Sequence, residues 1–436
     1  MTNNQPSGAN NALKSISDYH FHAFNKDVLT VRTIYLIIRA LLNRNNASPT
    51  GTQNKSTDFL EELLRIRNFL HIGFQENSID VFNILLNDYK QKGYVLDTAI
   101  PLMFDVEYCF IEATSQGETN IHDRVISDLK NRFSLLKEES NNEDFGAIQN
   151  FLNTLNIDGD DVLSFADITT RSFENQLNDI KSLKTKYPTT IYPFFAVDPR
   201  RPNVVQMAKN AIESKNFFGI KIYAPNGYSP LDPTLLPLYD YCQQHSIPIT
   251  AHHSLGGFAS FANSLNIYGK IYRNGAIVDP QNPVQFEKLF SPGWIEDRAN
   301  TLNHPKLWEQ VLLLFPELRL NLAHFGIFSD ANTIKDRYSW TDYVAGLMKT
   351  FPNLYTDLSC YTSTDDLKYI NNHYLNDPII GKKILYGSDF YLNMLFIDNF
   401  KQYLTNFTNI LGPNFDKIVV NNQQFFAKQP AALKNI

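Results

Sequence analysis

The chain has 436 residues, of which 43% are hydrophobic and 19% are charged, and this composition predicts a folded protein with a large core. Its 39 basic and 45 acidic residues give a formal net charge of −6, which argues against a nucleic-acid binder that needs a basic surface. The length does not by itself require several domains, because α/β barrels commonly use about 250 residues or more in one domain.

The first thirteen residues are polar and rich in asparagine, without the charged start and apolar run of a signal peptide. No stretch of the sequence approaches the roughly 20 apolar residues of a membrane helix. Cys109, Cys242 and Cys360 are widely spaced in apolar surroundings, which favours buried thiols in a reducing compartment over disulfides. We therefore expect a cytoplasmic protein that binds no nucleic acid and no membrane.

Eight short apolar runs, rich in β-branched and aromatic residues, alternate with longer segments of helical periodicity, which predicts a mainly parallel sheet. The predicted strands are Ile16–Phe24, Ala99–Val106, Ile191–Asp198, Phe217–Tyr223, Ile247–Ser254, Leu318–Gly326, Leu354–Tyr361 and Ile384–Tyr391. Eight strand–helix units that close on themselves form a (β/α)8 barrel, the TIM-barrel fold. The catalytic groups of such a barrel lie at the C-terminal ends of its strands.

Between the strands, apolar residues three or four positions apart predict helices, and proline follows several of the helix ends. The predicted helices are Phe173–Tyr187, Asn203–Ser214, Leu235–His245, Pro305–Phe315 and Trp340–Thr350. We expect a flexible N-terminal segment over 1–15 and one barrel domain over 16–430. Extra helical insertions are expected after the first and second strands, at about 25–95 and 111–170, with mobile loops over 51–57 and 138–144.

The motif Asp18-Tyr19-His20-Phe21-His22 ends the first predicted strand. Side chains two positions apart on a strand project from the same face, so His20 and His22 can converge on one point, as two imidazole ligands of a metal must. A lone pair of this kind is also common on a solvent-facing strand edge. The motif gains weight because other metal-type ligands occupy further predicted strand ends, which meet at one rim of a barrel. These are His252 in PITAHHS, His324 in NLAHFG and Asp389 in ILYGSDF.

This order of motifs resembles the amidohydrolase superfamily, in particular its amidohydrolase-related branch of TIM-barrel metal-dependent hydrolases. The branch also contains decarboxylases similar to aminocarboxymuconate-semialdehyde decarboxylase. Supporting matches are PFFAVDPR, GIKIYAPNGYSP, FPELRLNLAHFG and the C-terminal VVNNQQFF. The resemblance covers nearly the whole chain and is weakest in the two predicted insertions.

The resemblance implies that a divalent metal is surrounded by His20, His22, His252 and Asp389. It implies that His324 is either a further ligand or a catalytic acid or base. Nitrogen-rich ligation favours Zn²⁺, with Mn²⁺ or Fe²⁺ as alternatives. One ion is favoured over two.

His252 and His253 are adjacent, and adjacent residues of a strand face opposite ways, so only one of them should enter the site. The spacing from Pro248 favours His252.

Three further residues are predicted to bind substrate. Lys221 in GIKIY ends the fourth strand, where a buried lysine needs a carboxylate, a metal-bound group or an anionic substrate as its partner. The resemblance leaves two roles open for Lys221: a carboxylated bridge between two metals, or a group that binds a substrate carboxylate. Arg200 can bind a carboxylate in bidentate fashion, and Tyr223 is a candidate for the pocket wall.

Asp105, Asp198, Arg201 and Asp357 also lie at predicted strand ends. Any one of them could orient a metal ligand or hold a substrate, since metal-bound histidines usually donate their second nitrogen to an acceptor, but we expect structural roles for them.

The expected reaction is the hydrolysis of a C–N or C–O bond in an amide, lactone or ester by a metal-activated water. Asp389 would accept and return the proton, and His324 would polarise the carbonyl or stabilise the developing oxyanion. The alternatives are non-oxidative decarboxylation of a small unsaturated or aromatic acid, and a catalytically idle barrel that binds a ligand or partner. The sequence lacks the phosphate-loop, dinucleotide, serine-hydrolase and HExxH motifs. The expected partner is a small-molecule substrate, and a homodimer stays open.

Overall fold

The computed structural model describes residues 13–28, 65–106, 108–109, 165–214, 216–289, 291–327 and 337–421. Eight of its strands are parallel and form a barrel, and four short strands lie outside it. In chain order the strands are β1 Lys14–Phe21, β2 Tyr94–Pro101, β3 Phe194–Val197, β4 Gly219–Ile222, β5 Ile249–Ser254, β6 Ser264–Leu265, β7 Ile271–Arg273, β8 Ala276–Val278, β9 Val284–Gln285, β10 Leu320–Gly326, β11 Leu354–Asp357 and β12 Ile384–Leu385.

The barrel closes through two seams between its two ladders. One ladder has the strand order β12-β11-β10-β5-β4-β3, and the other joins β1 to β2. Isolated parallel bridges join Ala99 to Ile191 and Leu102 to Phe194, which connects β2 to β3. At the other seam, the Tyr19 backbone N–H donates to the Tyr386 carbonyl at 2.9 Å, which connects β1 to the chain after β12. The eight predicted strands thus form the predicted (β/α)8 barrel in chain order.

The barrel strands consist of almost continuous apolar runs because both of their faces are covered. Every residue of β3, with the sequence FFAV, and of β4, with the sequence GIKI, is buried. Parallel strands of a barrel pack inward on each other and outward on the helices, so alternation of polar and apolar residues is lost. Lys221 in β4 is therefore an exception that the packing itself does not explain.

The helices surround the barrel and pack their apolar faces on it. In α3, the buried residues Val204, Ala208, Ala211 and Ile212 follow the helical period. None of the helices in the described ranges is both long and apolar enough to cross a membrane. The helices are α1 Ser78–Gln91, α2 Phe165–Lys186, α3 Val204–Glu213, α4 Leu236–Gln244, α5 Trp294–Asn303, α6 Pro305–Leu314, α7 Ser339–Thr350, α8 Thr364–His373, α9 Phe400–Leu411 and α10 Pro413–Asp416.

Two strands begin before their predicted starts, and most of the others are shorter than predicted. β1 begins at Lys14, inside the segment expected to be flexible, and β2 begins at Tyr94, inside the first expected insertion. The first residues of β2 alternate between buried and exposed, with Val95 49% exposed, so they lack the continuous apolar run that marks the rest of the strand. The first insertion contains helical residues 65–73 and α1. The loops over 51–57 and 138–144, and nearly all of the second insertion, lie outside the described residues.

A third excursion from the barrel, over 255–293, was not predicted. It contains two small antiparallel ribbons, β6 with β9 and β7 with β8. Arg298 of α5 is fully buried and donates to the carbonyls of Ser260 and Ala262, at 2.6 Å each. Strands of two or three residues carry no periodic pattern, which explains why the sequence did not reveal them.

Candidate metal centre

Six of the residues predicted for the site lie at the C-terminal rim of the barrel. Each of these residues is no more than 5% exposed. They are His20 of β1, His22 just after β1, Lys221 of β4, His252 of β5, His324 of β10 and Asp389, which follows β12. Residues far apart in the sequence therefore share one buried region.

The backbone is strained where two of these side chains enter the site. His324 and Asp389 have φ angles of 67° and 54°, in the left-handed region. Such conformations cost about 1–3 kcal/mol for a residue other than glycine and cluster at functional sites. Gly326 follows with φ of 76°, and an added Cβ there would lie 2.7 Å from the Cβ of Trp340, so a side chain is excluded.

His20 and His22 turn one nitrogen each toward Asp389. The Nδ1 of His22 lies 2.9 Å from the Leu102 carbonyl, and the Nδ1 of His20 lies 3.1 Å from Oδ2 of Asp357. Both partners accept only, so each Nδ1 carries a proton and each Nε2 is left unprotonated in the neutral ring. Each Nε2 lies 3.3 Å from Oδ1 of Asp389. His20 Nε2 and Asp389 Oδ1 have no hydrogen-bond partner among the described residues.

His252 and His324 repeat this arrangement. The Nε2 of His252 lies 3.0 Å from the Gly256 carbonyl, and the Nδ1 of His324 lies 3.1 Å from the Ser359 carbonyl. These carbonyls also accept only, so the remaining nitrogens, His252 Nδ1 and His324 Nε2, are unprotonated in neutral rings. They face each other at 3.1 Å, where two lone pairs without a proton or cation between them would repel.

The four imidazoles form a continuous row. Ring centroids are 5.4 Å apart for His20 and His22, 5.0 Å for His20 and His324, and 4.8 Å for His252 and His324. Ligand atoms around one Zn²⁺ lie roughly 3.0–3.5 Å apart, because each is about 2.0–2.2 Å from the ion. The distances of 3.1 and 3.3 Å between facing atoms fit this spacing. His20, His22 and Asp389 form a group that can hold a metal ion.

Three of the four imidazoles are neutral at pH 7, as metal ligands must be. Burial lowers the pKa of His22 and of His324 to about 4 and that of His252 well below its ordinary value, so these rings are neutral at pH 7. Burial opposes ionisation of Asp389, but hydrogen bonding and charge from the protonated forms of His20 and His22 hold the pKa of its carboxyl well below the usual range, and a bound cation would take the place of that positive charge. Burial and Lys221 disfavour a proton on His20, but Asp357 and Asp389 raise its pKa overall.

Lys221 is buried beside this cluster, and its Nζ lies 5.9 Å from the ring centroid of Tyr223. Burial lowers the pKa of Lys221 to about 8, against the opposing attraction of Asp389 and Asp357. Tyr223 stacks on His252 with centroids 4.2 Å apart, and its hydroxyl donates to the Phe258 carbonyl at 2.9 Å.

The structure does not bring Arg200 into the histidine row. Its Nε donates to Oδ1 of Asp198 at 2.8 Å, and its Nη2 donates to Oδ2 of Asp198 at 2.6 Å and to the Asn226 carbonyl. Nη1 has no hydrogen-bond partner among the described residues. Arg201 makes a bidentate pair with Asp105, at 2.7 and 2.8 Å. These contacts form a separate ion-pair network.

His253 faces away from the row and packs against Trp340, with ring centroids 5.0 Å apart. It is fully buried, and neither ring nitrogen has a hydrogen-bond partner among the described residues. The strand alternation therefore separates the two adjacent histidines, with His252 in the row and His253 outside it.

Sequence reasoning underrated Asp357 and missed Ser359. Both lie at the end of β11 and are fully buried, and both contact His20. The signal available in the sequence was the strand-end motif TDLS, which is equally typical of a turn or a helix cap.

The family model described as Amidohydrolase matches residues 154–414, which is more than half of the chain. The chain belongs to the amidohydrolase family. The matched residues include His252, His324 and Asp389, whereas His20 and His22 precede them. This membership supports an enzyme with metal-dependent, amidohydrolase-like activity, and the cluster provides groups that can hold the metal.

Three solved structures illustrate what the chain is similar to. A TIM-barrel protein from Bordetella bronchiseptica is 13% identical, with coverage of 95% of this chain and 99% of that chain and a TM-score of 0.47. A 5-carboxyvanillate decarboxylase from Novosphingobium aromaticivorans, complexed with manganese, is 13% identical, with 98% and 99% covered and a TM-score of 0.46. A 4-oxalomesaconate hydratase from Rhodopseudomonas palustris is 13% identical, with 96% and 98% covered and a TM-score of 0.43. No curated protein matches the chain significantly.

Proposed function

We propose that this amidohydrolase is a metal-dependent hydrolase that cleaves an amide, lactone or ester bond with an activated water molecule. The observation that carries the proposal is the hydrogen-bond geometry that four buried imidazoles share. Each ring has one N–H directed at a group that only accepts, and each turns its unprotonated nitrogen toward a neighbouring ligand atom. Neutral imidazole nitrogens and one carboxylate are the donors that Zn²⁺ prefers, with Mn²⁺ and Fe²⁺ as alternatives.

In this proposal His20, His22 and Asp389 hold the cation, and His252 with His324 completes the set. A bound divalent cation supplies Lewis acidity, which activates water at neutral pH and polarises a carbonyl group. The tautomer of His324 favours the ligand role over the oxyanion role. Its Nδ1 proton is directed at the Ser359 carbonyl, so Nε2 has no proton to donate to a substrate oxygen.

Asp389 is the proposed proton acceptor. The pKa of its carboxyl lies well below the usual range, so it is ionised at neutral pH, and it lies directly beside the ligand nitrogens. It would take the proton of the attacking water and return it to the leaving nitrogen or oxygen. Lys221 would supply the positive charge that stabilises the developing oxyanion or binds a substrate carboxylate.

A second candidate, decarboxylation of a small unsaturated or aromatic acid, is favoured by the wall next to Lys221. Phe104 packs against Tyr223 with ring centroids 4.4 Å apart and stacks on Phe258 with centroids 6.1 Å apart. A flat apolar substrate with one carboxylate would complement an aromatic wall beside a buried cation.

The test uses the full chain purified without chelator. Elemental analysis combined with native mass spectrometry is expected to find one divalent ion per chain, and two ions with a carboxylated Lys221 would favour the bridging alternative. The same protein is then assayed with amides, lactones and esters, and with unsaturated and aromatic acids. Release of carbon dioxide without a hydrolysis product would establish the second candidate instead.

The third alternative, a catalytically idle barrel that binds a ligand or partner, predicts a different result. Protein that contains no metal, and that gains no activity when Zn²⁺ or Mn²⁺ is added, would contradict both enzymatic proposals.

A further inference from the structure

Asp357 is a buried carboxylate on β11, a strand that provides none of the proposed metal ligands. Its Oδ2 accepts from His20 Nδ1 at 3.1 Å and from Asn321 Nδ2 at 2.7 Å. Its Oδ1 accepts from the backbone N–H groups of His324 at 3.1 Å and Ser359 at 3.0 Å. Oδ2 therefore faces two donors and Oδ1 faces three, the third being the Ser359 hydroxyl, and the side chain is fully buried.

Ser359 completes the connection between the two histidines. Its hydroxyl donates to Oδ1 of Asp357, so the hydroxyl oxygen is free to accept. That oxygen lies 2.9 Å from Nδ1 of His324 and 3.1 Å from Nδ1 of His20. Asp357 and Ser359 together thus contact Nδ1 of His20 and Nδ1 of His324, the nitrogens that face away from the proposed metal.

We propose that Asp357 and Ser359 are positioning residues that hold His20 and His324 in the tautomers and orientations that present an unprotonated nitrogen to the metal. This inference rests on the proposed function, because it assumes that the row binds a cation. It assigns a role to a segment whose strand provides no ligand. It also explains why a carboxylate is buried there with a full set of donors.

The same atoms allow a competing interpretation, in which His20, His324 and Asp357 bind a second metal ion themselves. Two observations oppose it. The Ser359 hydroxyl lies among these groups, within hydrogen-bond distance of all three. Nδ1 of His20 and Nδ1 of His324 are each directed at an acceptor, whereas His20 Nε2 and Asp389 Oδ1 on the other side lack partners among the described residues.

The test is the substitution Asp357→Asn in the full chain, measured by Zn²⁺ titration against a chromophoric chelator. An asparagine has one oxygen and one NH₂ group, so it cannot accept on both sides as the carboxylate does. Either His20 loses its acceptor or the backbone N–H groups of His324 and Ser359 face a donor. Replacing such an outer partner of a metal ligand typically weakens metal binding about 10–100-fold, and we expect a loss of this size.

The matched control is Asp366→Asn, which makes the same chemical change at another buried aspartate. Asp366 pairs with Arg337 and accepts from the Tyr338 hydroxyl at 3.0 Å, away from the histidine row. Both variants should lower the melting temperature, but the control should keep its Zn²⁺ affinity within about threefold of the wild type. The visible absorption of Co²⁺-loaded protein should change for Asp357→Asn and stay unchanged for the control.

The outcomes separate the hypotheses. Unchanged Zn²⁺ affinity in folded Asp357→Asn would overturn the positioning role. A fall from two bound ions to one would overturn it in favour of direct ligation. Failure of the wild type to bind Zn²⁺ or Co²⁺ would instead refute the proposed function on which the inference rests.

If Asp357→Asn does not fold, Ser359→Ala keeps the test decisive. This variant retains the carboxylate and removes only the hydroxyl that contacts the two rings. We expect a threefold to tenfold loss of Zn²⁺ affinity, and no loss would overturn the role of Ser359 and, with it, the paired proposal.

Discussion

The rim of the barrel contains two polar clusters that differ in whether their charged and polar groups are compensated within the protein. The ion-pair network joins Arg201 to Asp105 and Arg200 to Asp198 through bidentate contacts. The histidine row, together with Asp389, instead turns unprotonated nitrogens toward each other and toward a carboxylate. Both clusters lie at strand ends, and both contain residues that the sequence singles out.

The difference indicates which cluster binds a ligand. In the ion-pair network the charges are compensated within the protein, which makes it a structural element that holds the loops after β2, β3 and β4. In the histidine row the outer atoms are satisfied and the inner atoms are not, which is the arrangement expected around a cation. Position at a strand end therefore does not distinguish a ligand-binding site from a structural ion pair. The two are distinguished by whether atoms without hydrogen-bond partners face one another.

The largest effect is expected when a proposed metal ligand is replaced. Asp389→Asn or His20→Ala should lower turnover by at least about 100-fold while the barrel stays folded, because the lost group serves the metal and proton transfer. Turnover and metal content are measured on an identified substrate, with circular dichroism for the fold. Asp365→Asn, at an exposed aspartate of α8, is the control. Near-normal turnover in either site variant would show that the assigned roles are wrong.

Disruption of the ion-pair network should lower the stability of the fold and leave metal affinity nearly unchanged. Arg201→Ala leaves Asp105 buried without its bidentate partner, and breaking such a pair typically costs about 3–5 kcal/mol of unfolding free energy. Chemical denaturation should show this loss, and Zn²⁺ affinity should stay within about threefold. A large change in metal affinity with little loss of stability would reverse the roles given to the two clusters.

Metal removal should destabilise the fold by mass action. A metal that binds only the folded state adds about 2.7 kcal/mol of stability when its free concentration is 100 times its dissociation constant. The melting temperature of chelator-treated protein should therefore fall and should recover when Zn²⁺ is added. The His20→Ala variant should show a much smaller shift, and an equal shift in both proteins would place the bound metal elsewhere.

Lys221 should affect the reaction more than the fold. A charged contact with substrate is worth about 1.5–3 kcal/mol, so Lys221→Met should lower kcat/KM by about 10–100-fold. The ammonium form exists below its pKa of about 8 and is lost above it, so wild-type activity should decline as the pH rises past that value. Lys221→Arg should move this alkaline decline to higher pH. An unchanged profile would exclude Lys221 as its cause.

The smallest effect is expected at His253. Its ring packs against Trp340 and makes no hydrogen bond to the described residues, so His253→Phe should change Zn²⁺ affinity less than threefold. His252→Ala, one residue away, should weaken binding at least tenfold. Equal losses in the two variants would contradict the separation of the adjacent histidines.

Much of the fold could be predicted from the sequence because parallel strands that are buried on both faces have continuous apolar sequences. FFAV and GIKI illustrate this, and both lie in barrel strands. The excursion over 255–293 could not be predicted in the same way, because its strands have only two or three residues. It depends on Arg298, whose role arises from carbonyls that are distant in the chain.

For the candidate site, the sequence indicated which residues reach the rim, and it did not indicate what each one contacts. Arg200 was a reasonable candidate for binding a carboxylate, but two of its nitrogens donate to Asp198, two residues earlier. Asp357 looked like an ordinary strand-end aspartate, yet it contacts His20 across β12, the strand that lies between β11 and β1 in the closed barrel. Contacts between residues more than 300 positions apart leave no local pattern in a single sequence.

The sequence by itself determined the kind of fold and the residue types at the strand ends, because burial and strand periodicity act over a few neighbouring residues. Tertiary structure alone decided which nitrogen of each imidazole faces inward. That choice depends on acceptors such as the Leu102 and Ser359 carbonyls, which only the closed barrel brings within hydrogen-bond distance.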